Sequence, residues 1–154
     1  MTTYLRLESI DGDAASRGHE KWIEVDSISW GAAAATSAGS GRASGRVTPE
    51  PLRLTTRPGR HSPGVLRALL DGTKVPSARV ERTAGGEQEV TVERWELTNA
   101  RVVAHTRDVA DDAGTESITL EYGRVAYSVI LRTASGKVGK TFTTAWDTAT
   151  GIVT

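Results

Sequence analysis

The stretch Gly12–Gly31, GDAASRGHEKWIEVDSISWG, decides the fold. Its first half is polar and turn-forming, built around Gly18-His19-Glu20. Its second half alternates, so Lys21–Trp30 predicts a half-buried β-strand. Ile23 and Val25 share one face by the period of two. Ile28 and Trp30 share a face as well, but one residue out of phase with the first pair. A β-bulge near Asp26-Ser27 returns all four to one side and leaves Ser27 and Ser29 on the other. Trp22, Ile23, Val25, Ile28 and Trp30 are therefore expected to pack in the core or between strands, while Gly18, His19 and Glu20 organise the turn before the strand.

Working outward, strands dominate. Tyr4–Ile10 reads as a first strand with Leu5 and Leu7 on one face, and Leu52–Thr56 as another, stopped by Pro58-Gly59. Ser62-Pro63 starts a helix: the Ser62 hydroxyl is suited to cap, proline is tolerated at the first helical position, and Gly72 supplies the stop. Val65, Leu66, Leu69 and Leu70 give this helix an apolar stripe. Ser77–Arg82 and Gln88–Leu97 flank a turn at Ala84–Glu87. Val90 and Val92 are out of phase with Trp95 and Leu97, which predicts a second bulge. Asn99–Arg107, Glu116–Tyr122, Arg124–Arg132 and Val138–Trp146 complete the set, with a kink or bulge at Gly123. Many short strands and one helix imply a mainly β domain spanning residues 1–154, a barrel or sandwich with the helix on one side. The segment Gly31–Arg46, GAAAATSAGSGRASGR, holds only small and polar residues and two arginines. It reads either as a flexible surface loop or, in its Ala-rich first half, as an extension of the preceding strand into a protruding arm.

Composition narrows the function. The 154 residues carry 19 Lys and Arg against 19 Asp and Glu, a net charge of zero. That balance argues against a general nucleic-acid or membrane-surface binder and suits self-association. There is no cysteine, so neither disulfides nor thiolate metal sites are available. No apolar run approaches the ~20 residues of a membrane span, and MTTYLRLESIDGD has no signal-peptide pattern. Export, if it occurs, would need another machine.

Catalytic patterns are scarce. His19, His61 and His105 fall on different expected elements without metal-ligand spacing, and His61 reads as a surface neighbour of a capping serine. No G-x-S-x-G elbow presents a nucleophile. Gly39-Ser40-Gly41 through Gly45-Arg46 lacks the Gly-Lys-Ser/Thr ending of a phosphate loop. Asp111, Asp112 and Glu116 do not follow the twelve-residue calcium-loop spacing and read as a solvated turn. The four tryptophans sit on different strands, which favours packing over a stacking platform for nucleic acid. The expectation is a protein without catalytic, metal or cofactor sites.

The chain resembles the haemolysin-coregulated protein (Hcp) family, the tube proteins of type VI secretion. The resemblance rests on Gly12-Asp13-Ala14, Gly18–Val25 and Ser29-Trp30-Gly31. It continues through the Gly-rich segment Ala32–Arg46, then Val47 with Leu52–Thr56, Ser62-Pro63 with Leu66 and Gly72, Ala78-Arg79-Val80 with Ala84-Gly85-Gly86, Leu97–Val103, Glu116–Tyr122 and Tyr127. The chain departs from the family pattern at Asp13-Ala14, at Gly59 and at Thr56. The resemblance implies an antiparallel β-barrel with one short flanking helix, assembled as a hexameric ring. It implies rings stacked into a tube, a spike protein and a contractile sheath as partners, and small effector proteins carried in the lumen. Nucleic acid and membrane insertion are not implied. The protein would be assembled in the cytoplasm and secreted without a signal peptide. Ser29, and Ser27 with it, would face the lumen. The segment with Gly31, Ala32, Ala33, Ala34, Ala35, Gly39, Gly41, Arg42 and Arg46 would make the ring-stacking contact. Two other readings compete: a tube subunit of a phage-tail-like extracellular injection device, and a monomeric ligand-binding β-barrel.

Overall fold

A computed structural model describes residues 1–36, 43–86 and 88–154. The elements, in chain order, are β1 (Thr2–Leu7), β2 (Ile23–Ser29), β3 (Ala32–Thr36), β4 (Ala43–Pro49), β5 (Leu52–Thr56), α1 (Ser62–Asp71), β6 (Lys74–Ala84), β7 (Val90–Asp108), β8 (Thr115–Glu121), β9 (Arg124–Arg132) and β10 (Val138–Asp147). Six strands close a barrel in the order β7-β6-β1-β2-β5-β8, with β8 returning to β7. Every pairing is antiparallel. Closure removes the free edges that an open sheet of this size would expose.

The interior is filled. Leu5, Leu7, Ile23, Leu52, Leu54, Val65, Val80, Leu97, Val102, Ile118 and Leu120 are at most 2% exposed. Such a small barrel closes on its own side chains, which fill its axis. The barrel of the family resemblance is therefore the architecture found, and the sandwich is not.

Strand β7 is long because it serves two sheets. Its C-terminal half, Arg101–Asp108, pairs with β8, and Glu93–Thr98 pairs with β9. β8 and β9 lie end to end along one edge of β7, and β9 carries β10 outward as a two-strand extension. The break between them is at Tyr122-Gly123, where the Gly123 N–H donates to the Thr98 and Asn99 carbonyls. Asn99 opposite adopts φ 53°, a left-handed conformation that asparagine tolerates better than most residues. The kink expected at Gly123 is this branch point, and the expected strands Gln88–Leu97 and Asn99–Arg107 are one strand bent there.

Both expected bulges are present. The β2–β5 register slips between Val25 and Ser27, and the β6–β7 register slips between Arg82 and Thr83, where Val92 is passed over. The helix differs in detail. His61, not Ser62, occupies the cap position, with no side-chain cap bond; the Ser62 hydroxyl instead accepts from the Gly59 N–H at 3.0 Å. Gly72 ends the helix with φ 64°. Of the apolar stripe only Val65 is fully buried. Leu69 is half-buried and packed on the core, while Leu66 and Leu70 are exposed.

The segment after β2 is not a structureless loop. β3 and β4 pair antiparallel as a separate two-stranded hairpin, with Ala32 opposite Pro49 and Ala34 opposite Val47. Among the described residues it shares no ladder with the barrel, so the strand-extension reading describes it: a β-arm. Gly39, Gly41 and Arg42 lie outside the described residues.

Candidate assembly site

The Asp26 bulge sets what each side of β2 presents. Ile23 and Val25 are buried, and Ile28 and Trp30 pack partly buried against the core. Ser27 and Ser29 are exposed on the outer wall. Ser27 lies opposite Thr55 and the two hydroxyls are bonded at 2.5 Å; Ser29 lies opposite Arg53. The same rows continue through Ser117 and Thr119 on β8 to Thr106 and Ala104 on β7. This sector of wall is thus paved with short, mostly hydroxylic side chains and a single arginine in those rows.

The arm leaves the top of this wall. Glu50 N–H donates to the Gly31 carbonyl at 3.0 Å, closing its base. The Tyr122 hydroxyl then pins the base to the barrel: it accepts from Trp30 Nε1 and donates to the Glu50 carbonyl, each at 2.8 Å. Trp30 also packs against Trp95 and Tyr127, with centroids 6.4 and 5.3 Å away. The Tyr127 hydroxyl donates to Glu93, whose carboxylate holds the phenol proton and, with burial, pushes its pKa up to about 12. Beyond this anchored base the arm projects: Ala32, Ala33, Ala34 and Ala35 are exposed, as is Val47. Gly31 is half-buried at the hinge, and Arg46 lies on β4.

A second unsatisfied feature is β10. It is the terminal strand of the extension, and only its end is covered, by Ile152 and Thr154 bonding to Asp147 and Ala145. Among the described residues nothing pairs with the other edge of Val138–Thr144, and Val138 and Phe142 are each 58% exposed. An open edge with exposed apolar residues is a template for another chain.

The turn before β2 folds back over the outside of the barrel. His19 is buried there, stacked on Tyr4 at 4.3 Å, and its Nε2 lies 3.0 Å from Glu81 Oε1. Arg94 Nε binds the other Glu81 oxygen at 2.7 Å. Glu20 is exposed and accepts from the Gly18 N–H, Gly18 having φ 89°. Trp22 packs edge-on against His19 at 4.7 Å, outside the barrel interior.

The structure corrects two readings at the other end of the barrel. His61 is not a surface residue and Glu116 is not part of a solvated turn: they are 4% and 0% exposed. Glu116 Oε1 lies 2.7 Å from His61 Nε2 and 3.3 Å from the Thr56 hydroxyl, and Glu116 Oε2 lies 3.3 Å from His105 Nε2. Burial pushes the Glu116 pKa up. The Ser62 hydroxyl and the adjacent His61 and His105 rings outweigh it, so the carboxyl stays below its ordinary value. The cluster stoppers the barrel where α1 begins. Spacing concealed it, because the four residues come from β5, the cap of α1, β7 and β8. The available signal was polar residues at inward positions: Thr56 continues Leu52-Leu54, and Glu116 continues Leu120-Ile118. Among the described residues no group of three or more His, Cys, Asp or Glu side chains is placed to hold a metal.

A family model described as "Type VI secretion system effector, Hcp" matches residues 4–129. The chain belongs to the Hcp family. It is a type VI secretion tube protein with a β-barrel fold. Solved structures agree on the fold. A structure described as a type six secretion system protein is 23% identical, with TM-score 0.89 and 99% of each chain covered. Hcp1 from Salmonella typhimurium is 21% identical, with TM-score 0.81 over 99% of this chain and 98% of that one. A type VI secretion system effector from Yersinia pestis is 11% identical, with TM-score 0.78 over 94% and 98%. Among curated proteins, no sequence matches this Hcp chain.

Proposed function

We propose that this Hcp chain is a ring-forming structural subunit: six copies close an annulus, annuli stack into a tube, and the tube carries small effector proteins and is itself expelled by a contractile sheath behind a spike protein. Membership of the Hcp family over residues 4–129 carries this reading. Three features of the fold support it. The open edge of β10 offers backbone for a neighbour in the ring. The arm projects from the barrel as a contact element for the next ring, with Gly31–Arg46 as the stacking segment. The Ser27/Ser29 wall offers a lumen lining of short hydroxyls, which would touch cargo without gripping any one sequence. The buried apolar side chains that fill the barrel interior favour this reading over a monomeric ligand-binding barrel.

The test is the oligomeric state. Light scattering after size-exclusion chromatography should give a mass near six chains, and negative-stain images should show annuli with a central hole. A monomer at every concentration, with images of isolated globules, refutes the proposal.

A further inference from the structure

Arg53 is set among hydroxyls on the outer wall of β2, β5 and β8. Ser29 lies opposite it on one side and Thr119 on the other, and Thr55 is the next outward residue along its own strand. Arg53 is exposed, and these neighbours bring no charge. Elsewhere on the described surface carboxylates hold Arg6, Arg60, Arg67, Arg79, Arg82 and Arg94. Among the described residues Arg53 belongs to no such pair. The carboxylates of this wall lie farther off. Glu121 is beyond Thr119 on β8 and faces Arg101 across the β7–β8 ladder. Glu50, before β5, and Asp26, on β2, are removed along the chain from Arg53 and from Ser29, each by roughly 10 Å at ~3.3 Å per residue. That is about one Debye length at 0.1 M salt. The guanidinium therefore sets the potential in the middle of the wall.

A guanidinium without a partner binds a carboxylate bidentately. The hydroxyls beside it donate or accept and have no preference for charge. The rows of Ser27 and Ser29 hold no aromatic side chain on which a base could stack, and a single cation in them is sparse for a phosphate backbone. The geometry points to Arg53 as the residue that selects cargo by charge, and to small proteins with an acidic face as the partners this wall fits. This rests on the ring reading, with the Ser27/Ser29 wall turned to the lumen, and adds the chemistry of the cargo to it. Repetition around the ring sets one Arg53 guanidinium per copy about a shared space, where low-dielectric walls focus their field. Each exposed ion pair is weak alone, so a cargo that touches several at once gains by multivalency. Selection by charge needs no sequence common to the cargoes.

The test uses the assembled protein and two versions of one small helical domain, one with a surface excess of Asp and Glu and one with the same excess of Lys and Arg. Co-elution in size-exclusion chromatography reports binding, and averaged negative-stain images report whether the central hole is filled. The wild type is expected to bind the acidic version about tenfold more tightly than the basic one at low salt. The preference should vanish near 1 M salt, where the Debye length is about 3 Å. Arg53→Lys should keep most of the preference, Arg53→Gln should remove it and Arg53→Glu should reverse it, each with ring mass unchanged. Equal binding of the two versions by the wild type overturns the inference, as does an unchanged preference in Arg53→Glu. Tighter capture of a single-stranded oligonucleotide than of the acidic domain overturns it in favour of phosphate recognition. Loss of annuli in both Arg53→Gln and Arg53→Glu overturns it by placing the residue in an interface between copies. Absence of annuli in the wild type instead refutes the ring reading beneath it, so the two failures are distinguishable.

Discussion

Replacing Glu116 by alanine should be the most damaging single truncation in the barrel that deletes no apolar contact. The carboxylate is fully buried, and three neighbours depend on it: His61 at 2.7 Å, Thr56 at 3.3 Å and His105 at 3.3 Å. Thr56 and His61 also touch each other at 3.3 Å, so part of their bonding survives. His105 Nε2 has no good hydrogen bond even in the intact cluster. One to two buried groups are thus left newly unsatisfied, each costing about 1–3 kcal/mol, plus the void left by the side chain. The expected loss is about 3–5 kcal/mol. On a domain stable by about 5–15 kcal/mol this is a large fraction. At this chain length it lowers Tm by roughly 6–20 °C. Urea unfolding followed by tryptophan fluorescence, at one fixed protein concentration because assembly adds to stability, measures it. Glu116→Gln keeps the acceptor facing His61 and should recover more than half of the loss. An alanine variant within about 1 kcal/mol of the parent refutes the view that this cluster holds the barrel end together.

Other outcomes follow from the same geometry. Because the Glu116 pKa is held below its ordinary 4.5, its ionised form contributes stability that is complete above that value and is lost as pH falls through the lowered folded pKa. Unfolding midpoints measured downward from pH 6 should therefore fall less steeply in acid for Glu116→Gln than for the parent. Tyr122→Phe removes both 2.8 Å bonds at the arm base. It should cost about 1–3 kcal/mol and raise amide exchange at Glu50 and in β4, and an unchanged exchange pattern there would show that the tyrosine does not anchor the arm. Gly12→Ala places a Cβ 2.7 Å from Ile23 Cγ1 and inside contact with the Trp22 carbonyl, so it should destabilise by about 1–3 kcal/mol in a denaturant melt. Ser29→Gln, on the exposed wall, should leave ring mass unchanged and alter co-purification of effector proteins; loss of rings would place Ser29 in an interface instead.

Much of this was legible in the sequence because it depends on the period of two. The bulge at Asp26 follows from four apolar residues that alternate correctly only in pairs, and Leu52–Thr56 and Arg124–Arg132 match the observed strands to the residue. What was not legible depends on which elements meet. Tyr4 reads as outward-facing by alternation, and it is. It is also 2% exposed, because the Gly12–Trp22 turn folds over it, and nothing local announces that cover. His61, at the cap of α1, and His105, on β7, meet at Glu116 only through barrel closure. Closure itself is invisible to periodicity, since a sandwich and a barrel have the same alternation along each strand.

The bulge also explains why core and wall cannot be tuned separately on β2. Without the extra residue at Asp26, the strand beyond it would turn over. Ile28 and Trp30 would face solvent, and Ser27 and Ser29 would enter the barrel. Burying each large apolar side chain is worth about 1.5–3 kcal/mol, and two hydroxyls forced inside would lack partners. The register slip is therefore held by the aromatic packing of Trp30 against Trp95 and Tyr127. The same slip puts the serines outside and aims the chain into the arm through the Trp30–Tyr122–Glu50 bonds. One irregular residue thus ties the barrel interior to the exposed serine wall and to the arm.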